Sequence, residues 1–176
     1  SSCGGGFTPC RPGTYNEKEG SSSSADCQQC PRGTFSPDTG ANSSETCRSC
    51  RAGTFGASPG KSECTDCRAG TYQDEEGKTE CKACEQGRYC EPGAAAPLPC
   101  EKGSYSNVAT NLTAAGECTA CPAGSACSTG SIEPTPCSPG TFAAKEGQSK
   151  CESCDPGTSS NQGSVACDEC VAGKYA

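Results

Sequence analysis

Histidine, methionine and tryptophan are absent from this chain, and large apolar residues are scarce. Leu occurs twice (Leu98, Leu112), Ile once (Ile132), Val three times (Val108, Val165, Val171) and Phe four times among 176 residues. That inventory lies far below the roughly 20% of large aliphatic and Phe residues of ordinary globular domains. It excludes a conventional hydrophobic core, because burying one such side chain returns roughly 1.5–3 kcal/mol while ordering each residue costs about 1–2 kcal/mol of backbone entropy. Without His, a Ser nucleophile lacks its usual base, and carboxylates dispersed in turns cannot fix two of them across a substrate. No enzymatic activity is therefore expected, and no catalytic residue is assigned. Clustered basic residues are also missing: the 14 Lys and Arg stand scattered against 21 acidic residues, for a net charge of −7. Phosphate neutralisation needs clusters, so nucleic acid is not an expected partner. No apolar run approaches the roughly 18 residues of a membrane span, so no membrane insertion is expected within this segment. Residues 1–30 lack the regions of a signal peptide, which predicts a mature segment or fragment whose export signal, and any anchor, lie outside it.

What the chain has instead is 20 Cys, 23 Gly and 13 Pro. This Cys density marks a disulfide scaffold, in which crosslinks restrict the unfolded state in place of a core. Disulfide-dense chains persist in oxidising compartments, so the expected location is extracellular, secreted or displayed on a surface.

The cysteines fall in a repeat. Ten segments begin Cys-x-x-Gly, at Cys10, Cys30, Cys50, Cys67, Cys84, Cys100, Cys121, Cys137, Cys154 and Cys170. In eight of them an aromatic residue stands two positions after the Gly: Tyr15, Phe35, Phe55, Tyr72, Tyr89, Tyr105, Phe142 and Tyr175. Of the nine aromatics only Phe7 is off this grid. A Gly that tolerates positive φ, followed by Thr-Phe or Thr-Tyr, predicts a tight turn leading into a short strand whose ring packs on a nearby disulfide. A second Gly downstream, as in Glu19-Gly20, Thr39-Gly40, Pro59-Gly60, Glu76-Gly77 and Glu146-Gly147, signals the turn of a hairpin. Helical periodicity is absent, and the Gly and Pro content opposes long helices.

Two repeats are longer and share offsets: Cys84, Cys90 and Cys100 in one, Cys121, Cys127 and Cys137 in the other, each with a Pro-rich connector. The expected organisation is residues 1–9 as the tail of a truncated module and 10–83 as four short repeats. A long repeat follows at 84–120, a second at 121–153, and a short repeat plus the start of a truncated one at 154–176. The predicted fold class is small and disulfide-rich: an elongated rod of tandem short β-hairpin modules with almost no helix. Each module is expected to touch mainly its sequence neighbours, and ten modules at the roughly 10 Å spacing of packed sheets give a length on the order of 100 Å.

Seven Cys-x-x-Cys pairs invite a zinc reading, and Cys27-x-x-Cys30 followed by Cys47-x-x-Cys50 has the spacing of a four-thiolate site. A zinc ribbon does not need a Gly-and-aromatic phrase after every pair, and no His is available. Redox use of Cys-x-x-Cys depends on a helix start that cannot be read here. Structural bridging is the expectation, with no metal and no cofactor. The sequons Asn42-Ser43-Ser44 and Asn111-Leu112-Thr113 fall in predicted hairpin loops, so N-linked glycan is expected at Asn42 and Asn111. The run Ser21–Ser24 and the Ser-Pro steps at Ser36, Ser58 and Ser138 could carry O-linked sugar or serve as plain loop. Glu17, Glu19, Asp74, Glu75 and Glu76 read as solvated hairpin tips.

The phrases Cys-Arg-Ala-Gly-Thr-Phe (50–55), Cys-Pro-Arg-Gly-Thr-Phe (30–35) and Cys-Ser-Pro-Gly-Thr-Phe (137–142), each followed by a Cys-x-x-Cys, resemble the ephrin-receptor-like cysteine-rich repeat. That repeat is similar to the smallest disulfide module of tumour necrosis factor receptor ectodomains. The resemblance implies a pairing in which the Cys before x-x-Gly bridges to the next Cys downstream: Cys10–Cys27, Cys30–Cys47, Cys50–Cys64, Cys67–Cys81, Cys84–Cys90, Cys100–Cys118, Cys121–Cys127, Cys137–Cys151 and Cys154–Cys167. Cys3 and Cys170 are left over, with partners expected outside the segment. From sequence alone many other connectivities stay open. The repeat type occurs in receptor ectodomains, in protist surface proteins and in the glycoprotein subunits of algal flagellar hairs (mastigonemes). Two functions therefore follow as expectations. One is a structural glycoprotein of an extracellular filament or surface coat that associates with copies of itself, with other extracellular proteins as further partners. The other is a receptor ectodomain that binds a protein ligand.

Overall fold

A computed structural model describes residues 8–21, 23–107 and 112–171. The chain forms two compact units, Ser1–Lys82 with Glu91–Ala96, and Ala83–Cys90 with Pro97–Ala176. Among the described residues, nine two-stranded hairpins and three 3₁₀ turns make up the regular structure, and hairpin pairing is antiparallel in eight of the nine. β1 (Thr14–Tyr15) pairs with β2 (Gln28–Gln29), β3 (Thr34–Phe35) with β4 (Arg48–Ser49), and β5 (Thr54–Phe55) with β6 (Thr65–Asp66). β7 (Thr71–Tyr72) pairs with β8 (Lys82–Ala83), β9 (Arg88–Tyr89) with β10 (Leu98–Pro99), and β11 (Ser104–Tyr105) with β12 (Thr119–Ala120). β13 (Ser125–Ala126) pairs with β14 (Thr135–Pro136), β15 (Thr141–Phe142) with β16 (Glu152–Ser153), and β17 (Thr158–Ser159) with β18 (Asp168–Glu169). The fold is thus a small disulfide-rich array of tandem hairpins. Among the described residues no helix is long and apolar enough to cross a membrane.

Local chemistry sets each hairpin. In the first, Thr14 closes a turn by donating both its N–H and its hydroxyl to the Arg11 carbonyl, at 3.0 and 2.7 Å. Pro12 fixes the second residue of this turn, and Gly13 takes the third with φ +84°. The same hydroxyl-to-carbonyl bond recurs from Thr34, Thr54, Thr71, Ser104, Thr141 and Thr158, which explains why Thr or Ser follows the Gly so often. After the second strand the next Cys returns to the turn, as Cys30 N–H donates to Gly13 C=O at 2.9 Å.

Among the described residues nine disulfides staple these hairpins: Cys10–Cys27, Cys30–Cys47, Cys50–Cys64, Cys67–Cys81, Cys84–Cys90, Cys100–Cys118, Cys121–Cys127, Cys137–Cys151 and Cys154–Cys167. Seven close loops with sequence separations of 13 to 18, each worth roughly 3 kcal/mol in the chain-entropy model. The three longest, at separations of 17, 17 and 18, contain an added 3₁₀ turn (Ser24–Asp26, Ser44–Thr46, Ala115–Glu117) that absorbs the extra residues. Ser23 and Ser43 cap the first two by accepting from the N–H of Ala25 and Glu45.

The core is a row of buried cysteines, with Cys30, Cys50, Cys67, Cys100, Cys121 and Cys137 among the most enclosed side chains. The aromatic rings of Phe35, Tyr72, Tyr105 and Phe142 are half-buried, and the residue after each is the enclosed one. Ser36, Gln73, Ser106 and Ala143 fill that slot. Cys90 and Cys127 occupy it in the two long repeats, so the bridge with a separation of 6 brings its second sulfur directly into the core row. The slot is narrow: at Gly56, which occupies it in the module led by Cys50, an added Cβ would lie 3.0 Å from Gly33 N and 3.3 Å from Cys50 Sγ. Gln73 fits by turning its amide back on its own loop, its Nε2 donating to Glu80 C=O at 2.7 Å and its Oε1 accepting from Glu75 N–H at 3.0 Å.

Neighbouring modules are joined through the main chain. The N–H of the second Gly in one module donates to the carbonyl of the leading Cys in the module before it: Gly40 to Cys10, Gly60 to Cys30, Gly77 to Cys50, Gly93 to Cys67, Gly130 to Cys100, Gly147 to Cys121 and Gly163 to Cys137, at 2.7 to 2.8 Å. The slot residue adds a second rung, as in Ser36 N–H to Lys61 C=O at 3.0 Å and Ala143 N–H to Ser164 C=O at 3.1 Å. Contact also extends beyond the sequence neighbour. A Cβ on Gly13 would overlap the Gly60 carbonyl, one on Gly33 that of Gly77, and one on Gly53 that of Gly93, each two modules ahead. In the second unit Gly87 meets Gly130, Gly103 meets Gly147 and Gly124 meets Gly163 in the same way. The expectation of contacts mainly between sequence neighbours is revised accordingly, since the turn Gly is also the point where a main chain two modules away is received.

Gly53→Ala and Gly140→Ala separate these two demands. Both residues have positive φ, but no atom lies within 4 Å of a Cβ placed at Gly140. Gly140→Ala is expected to cost about 1–2 kcal/mol from backbone conformation alone, and Gly53→Ala clearly more, read as midpoint shifts in denaturant unfolding. Equal effects would contradict the two-module contact. Ser36 Oγ and Ser106 Oγ are buried without a protein hydrogen-bond partner. Because Ala143 already fills the same slot, Ser36→Ala is expected to raise stability by up to about 1 kcal/mol.

Candidate interaction surface

With the cysteines turned inward, the exposed chemistry lies on the second strand of each hairpin and on the turn after the leading Cys. Arg48, Ser49, Arg51 and Asp66 are exposed in this way around modules led by Cys30 and Cys50. Together with Phe35 and Thr54 they line an open hollow of about 330 Å³. The ring of Phe35 lies cross-strand from Arg48 in the β3–β4 register. Arg48 approaches one carboxylate, Asp38, only loosely at 3.9 Å between well-exposed side chains. An aromatic floor flanked by two guanidinium groups is suited to holding a planar or anionic group of another protein.

A second charged feature braces the loop of the module led by Cys67. Lys82 Nζ reaches Asp74 Oδ1 at 2.6 Å and Glu75 Oε1 at 3.3 Å, and Lys78 Nζ reaches Glu75 Oε2 at 2.7 Å. Lys82 also stands 6.0 Å from the centre of the Tyr72 ring. The Lys82 bond holds the Asp74 carboxyl below its ordinary range, bonds from Lys78 and then Lys82 do so for Glu75, and Asp74 in turn raises the Lys82 ammonium. Glu17 is lowered by its bonds from Ser44 in the next module, whose N–H it accepts at 3.0 Å. Of the acidic residues read as solvated tips, Glu19 and Glu76 are simply exposed, whereas Glu17, Asp74 and Glu75 also tie loops together.

Asn42 is exposed, immediately before the Ser43 cap of a 3₁₀ turn. Asn111, Cys3, Phe7 and Tyr175 lie outside the described residues. Cys170 is exposed and unbridged. No group of three or more His, Cys, Asp or Glu side chains is placed to hold a metal ion among the described residues. The hollow, the loop brace and the buried slot were not foreseen from sequence. The alternation of Arg and Asp around Cys50 and Cys67 was the available signal for the first.

Residues 53–97 match the family described as tyrosine-protein kinase ephrin type A/B receptor-like. No curated protein matches the chain. Within residues 53–97 the chain is similar to ephrin-receptor-like cysteine-rich modules, and tandem disulfide-stapled hairpins of the same kind recur along the described residues.

The brace predicts local pH dependence. Asp74 and Glu75 have lowered folded-state pKa values, so their contribution is present above the ordinary carboxylate range and disappears as pH falls through the lowered values. Lys82 has a raised one, so its contribution holds below the ordinary lysine range and is lost as pH rises through the raised value. Hydrogen exchange in residues 72–82 is therefore expected to depart from intrinsic pH scaling on the acid side, and Lys82→Met should reduce that departure to the part the Lys78–Glu75 pair supplies.

Proposed function

We propose that this chain is a non-enzymatic segment of a structural glycoprotein, one that builds an extracellular filament, a flagellar hair of the mastigoneme type or a surface coat by associating with copies of itself. The observation that carries this reading is the main-chain ladder: the same Gly-to-Cys and slot-residue bonds recur from module to module whatever the exposed side chains are. Stability drawn from repetition suits a load-bearing part. The described on-grid aromatics sit half-buried on first strands, and the exposed large apolar side chains, Leu98, Ile132, Val165 and Val171, are single and dispersed. Such a surface favours many weak repeated contacts over one concentrated hot spot. Nothing in the composition recommends nucleic acid as a partner.

The alternative, a ligand-binding receptor ectodomain, draws on the hollow at Phe35, Arg48 and Arg51, since aromatic and Arg side chains dominate interface energetics. Negative-stain imaging of native material separates the two. Periodic fibres are expected, and isolated single molecules holding a tight heterologous protein would replace this reading with the receptor one. N-linked glycan is proposed at Asn42 and Asn111. A mass decrease on glycosidase treatment is the expected result, with unmodified Asn at both positions counting against a glycoprotein.

A further inference from the structure

Within the self-association reading, the repeat frame singles out where two copies meet. Two positions flank the hollow described above: the residue two before a leading Cys, on the second strand, and the residue one after it, in the turn. Running along the chain, these positions hold Thr8 and Arg11, Gln28 and Pro31, Arg48 and Arg51, Thr65 and Arg68, Lys82 and Glu85. They continue as Leu98 and Glu101, Thr119 and Pro122, Thr135 and Ser138, Glu152 and Asp155, and Asp168 and Val171. Only at Cys50 and at Cys154 do both carry charges of one sign, and the two signs are opposite.

The frame around these two sites is otherwise the same. Phe35 stands cross-strand from Arg48, and Phe142 stands cross-strand from Glu152. Ser49 and Thr54 have their counterparts in Ser153 and Thr158, each Thr holding the carbonyl of the charged turn residue, Arg51 at 2.8 Å and Asp155 at 2.7 Å. Asp66 corresponds to Glu169. Arg48, Arg51, Glu152, Asp155 and Glu169 are all exposed, and both rings are half-buried. Arg51 and Asp155 make no ion pair among the described residues, Arg48 has the loose Asp38 contact, and Glu152 accepts from Gln148 Nε2 at 3.1 Å.

We propose that a second copy of this chain is the occupant of the hollow at Phe35. The Arg48 and Arg51 guanidinium groups of one copy receive the Glu152 and Asp155 carboxylates of the other, with the Phe35 and Phe142 rings brought together between them. Guanidinium and carboxylate match as planar forks, and the rings give the contact an apolar centre. Because the two surfaces differ, each docking leaves one basic and one acidic site unused. Such a heterologous contact propagates along a line unless it closes into a ring. Exposed ion pairs are individually weak and screened by salt, so association is expected at low ionic strength and to fade at high.

Sedimentation velocity on the native, disulfide-bonded chain tests this in about 0.02 M and about 0.5 M salt, conditions that bracket strong and weak screening. The native chain is expected to assemble at low salt. Arg48→Glu/Arg51→Glu alone and Glu152→Arg/Asp155→Arg alone are each expected to weaken assembly tenfold or more. An equimolar mixture of the two variants is expected to assemble again, since one then carries only acidic sites and the other only basic ones. Non-reducing peptide maps matching the native chain establish that both variants are folded. Native assembly unaffected by either reversal, or a mixture no better associated than its components, overturns this docking assignment while leaving self-association standing. A native chain that stays monomeric at both salt concentrations removes the self-association reading and this contact with it.

Discussion

The scarcity of apolar side chains is the constraint from which the rest follows. A chain with two Leu and one Ile cannot exclude water by side-chain packing, so its buried row is built from cystine. Each bridge acts largely on the unfolded chain, lowering the entropy that folding has to overcome. What remains inside must be small or, like Gln73, fold back on its own loop, because the backbones of consecutive modules have to approach closely enough to hydrogen-bond. Gly56, Ser36, Ser106 and Ala143 in the slot after the aromatic position meet that requirement, as do Cys90 and Cys127.

Once side chains no longer carry the packing, the main chain does. The bond from Gly77 N–H to Cys50 C=O and the seat that Gly53 provides for the Gly93 carbonyl connect the module led by Cys50 to the next two. Individually such bonds are worth only about 0.5–1.5 kcal/mol, and their strength lies in repetition in a fixed register. This frees the outer strand and turn positions to vary, which is why residues as different as Arg48, Thr65 and Glu152 occupy one equivalent place. Charge can then be arranged along the chain without disturbing the fold. The proposed self-association would draw on that property.

The hairpins were legible in the sequence because their determinants are local. A Gly at positive φ, a Thr whose hydroxyl returns to the turn carbonyl and a second Gly before the next Cys declare each hairpin within about twenty residues. The buried slot was not legible, since Ser36, Gln73, Ala143 and Cys90 share no composition, only a place relative to the module ahead. Nor was the contact between Gly53 and Gly93: its one signature is a Gly already accounted for by its turn, so a single residue type concealed two demands. Phe35 and Tyr72 announced themselves as packing residues by their register, but how much of each ring stays open depends on the next module's path. The loop brace at Asp74, Glu75 and Lys82 was hidden because it joins charges across a hairpin whose exact register the turn alone does not set.

Deleting one bridge tests the central claim, that cystine supplies the core and the main chain couples each module to the following two. In Cys50→Ala/Cys64→Ala, native-state hydrogen exchange is predicted to show lost protection across residues 50–67, at Gly77, and within 91–96, while residues 121–169 keep theirs. Loss confined to 50–64 would show that the modules stand independently, and uniform loss along the chain would show a single cooperative core, either of which contradicts the account.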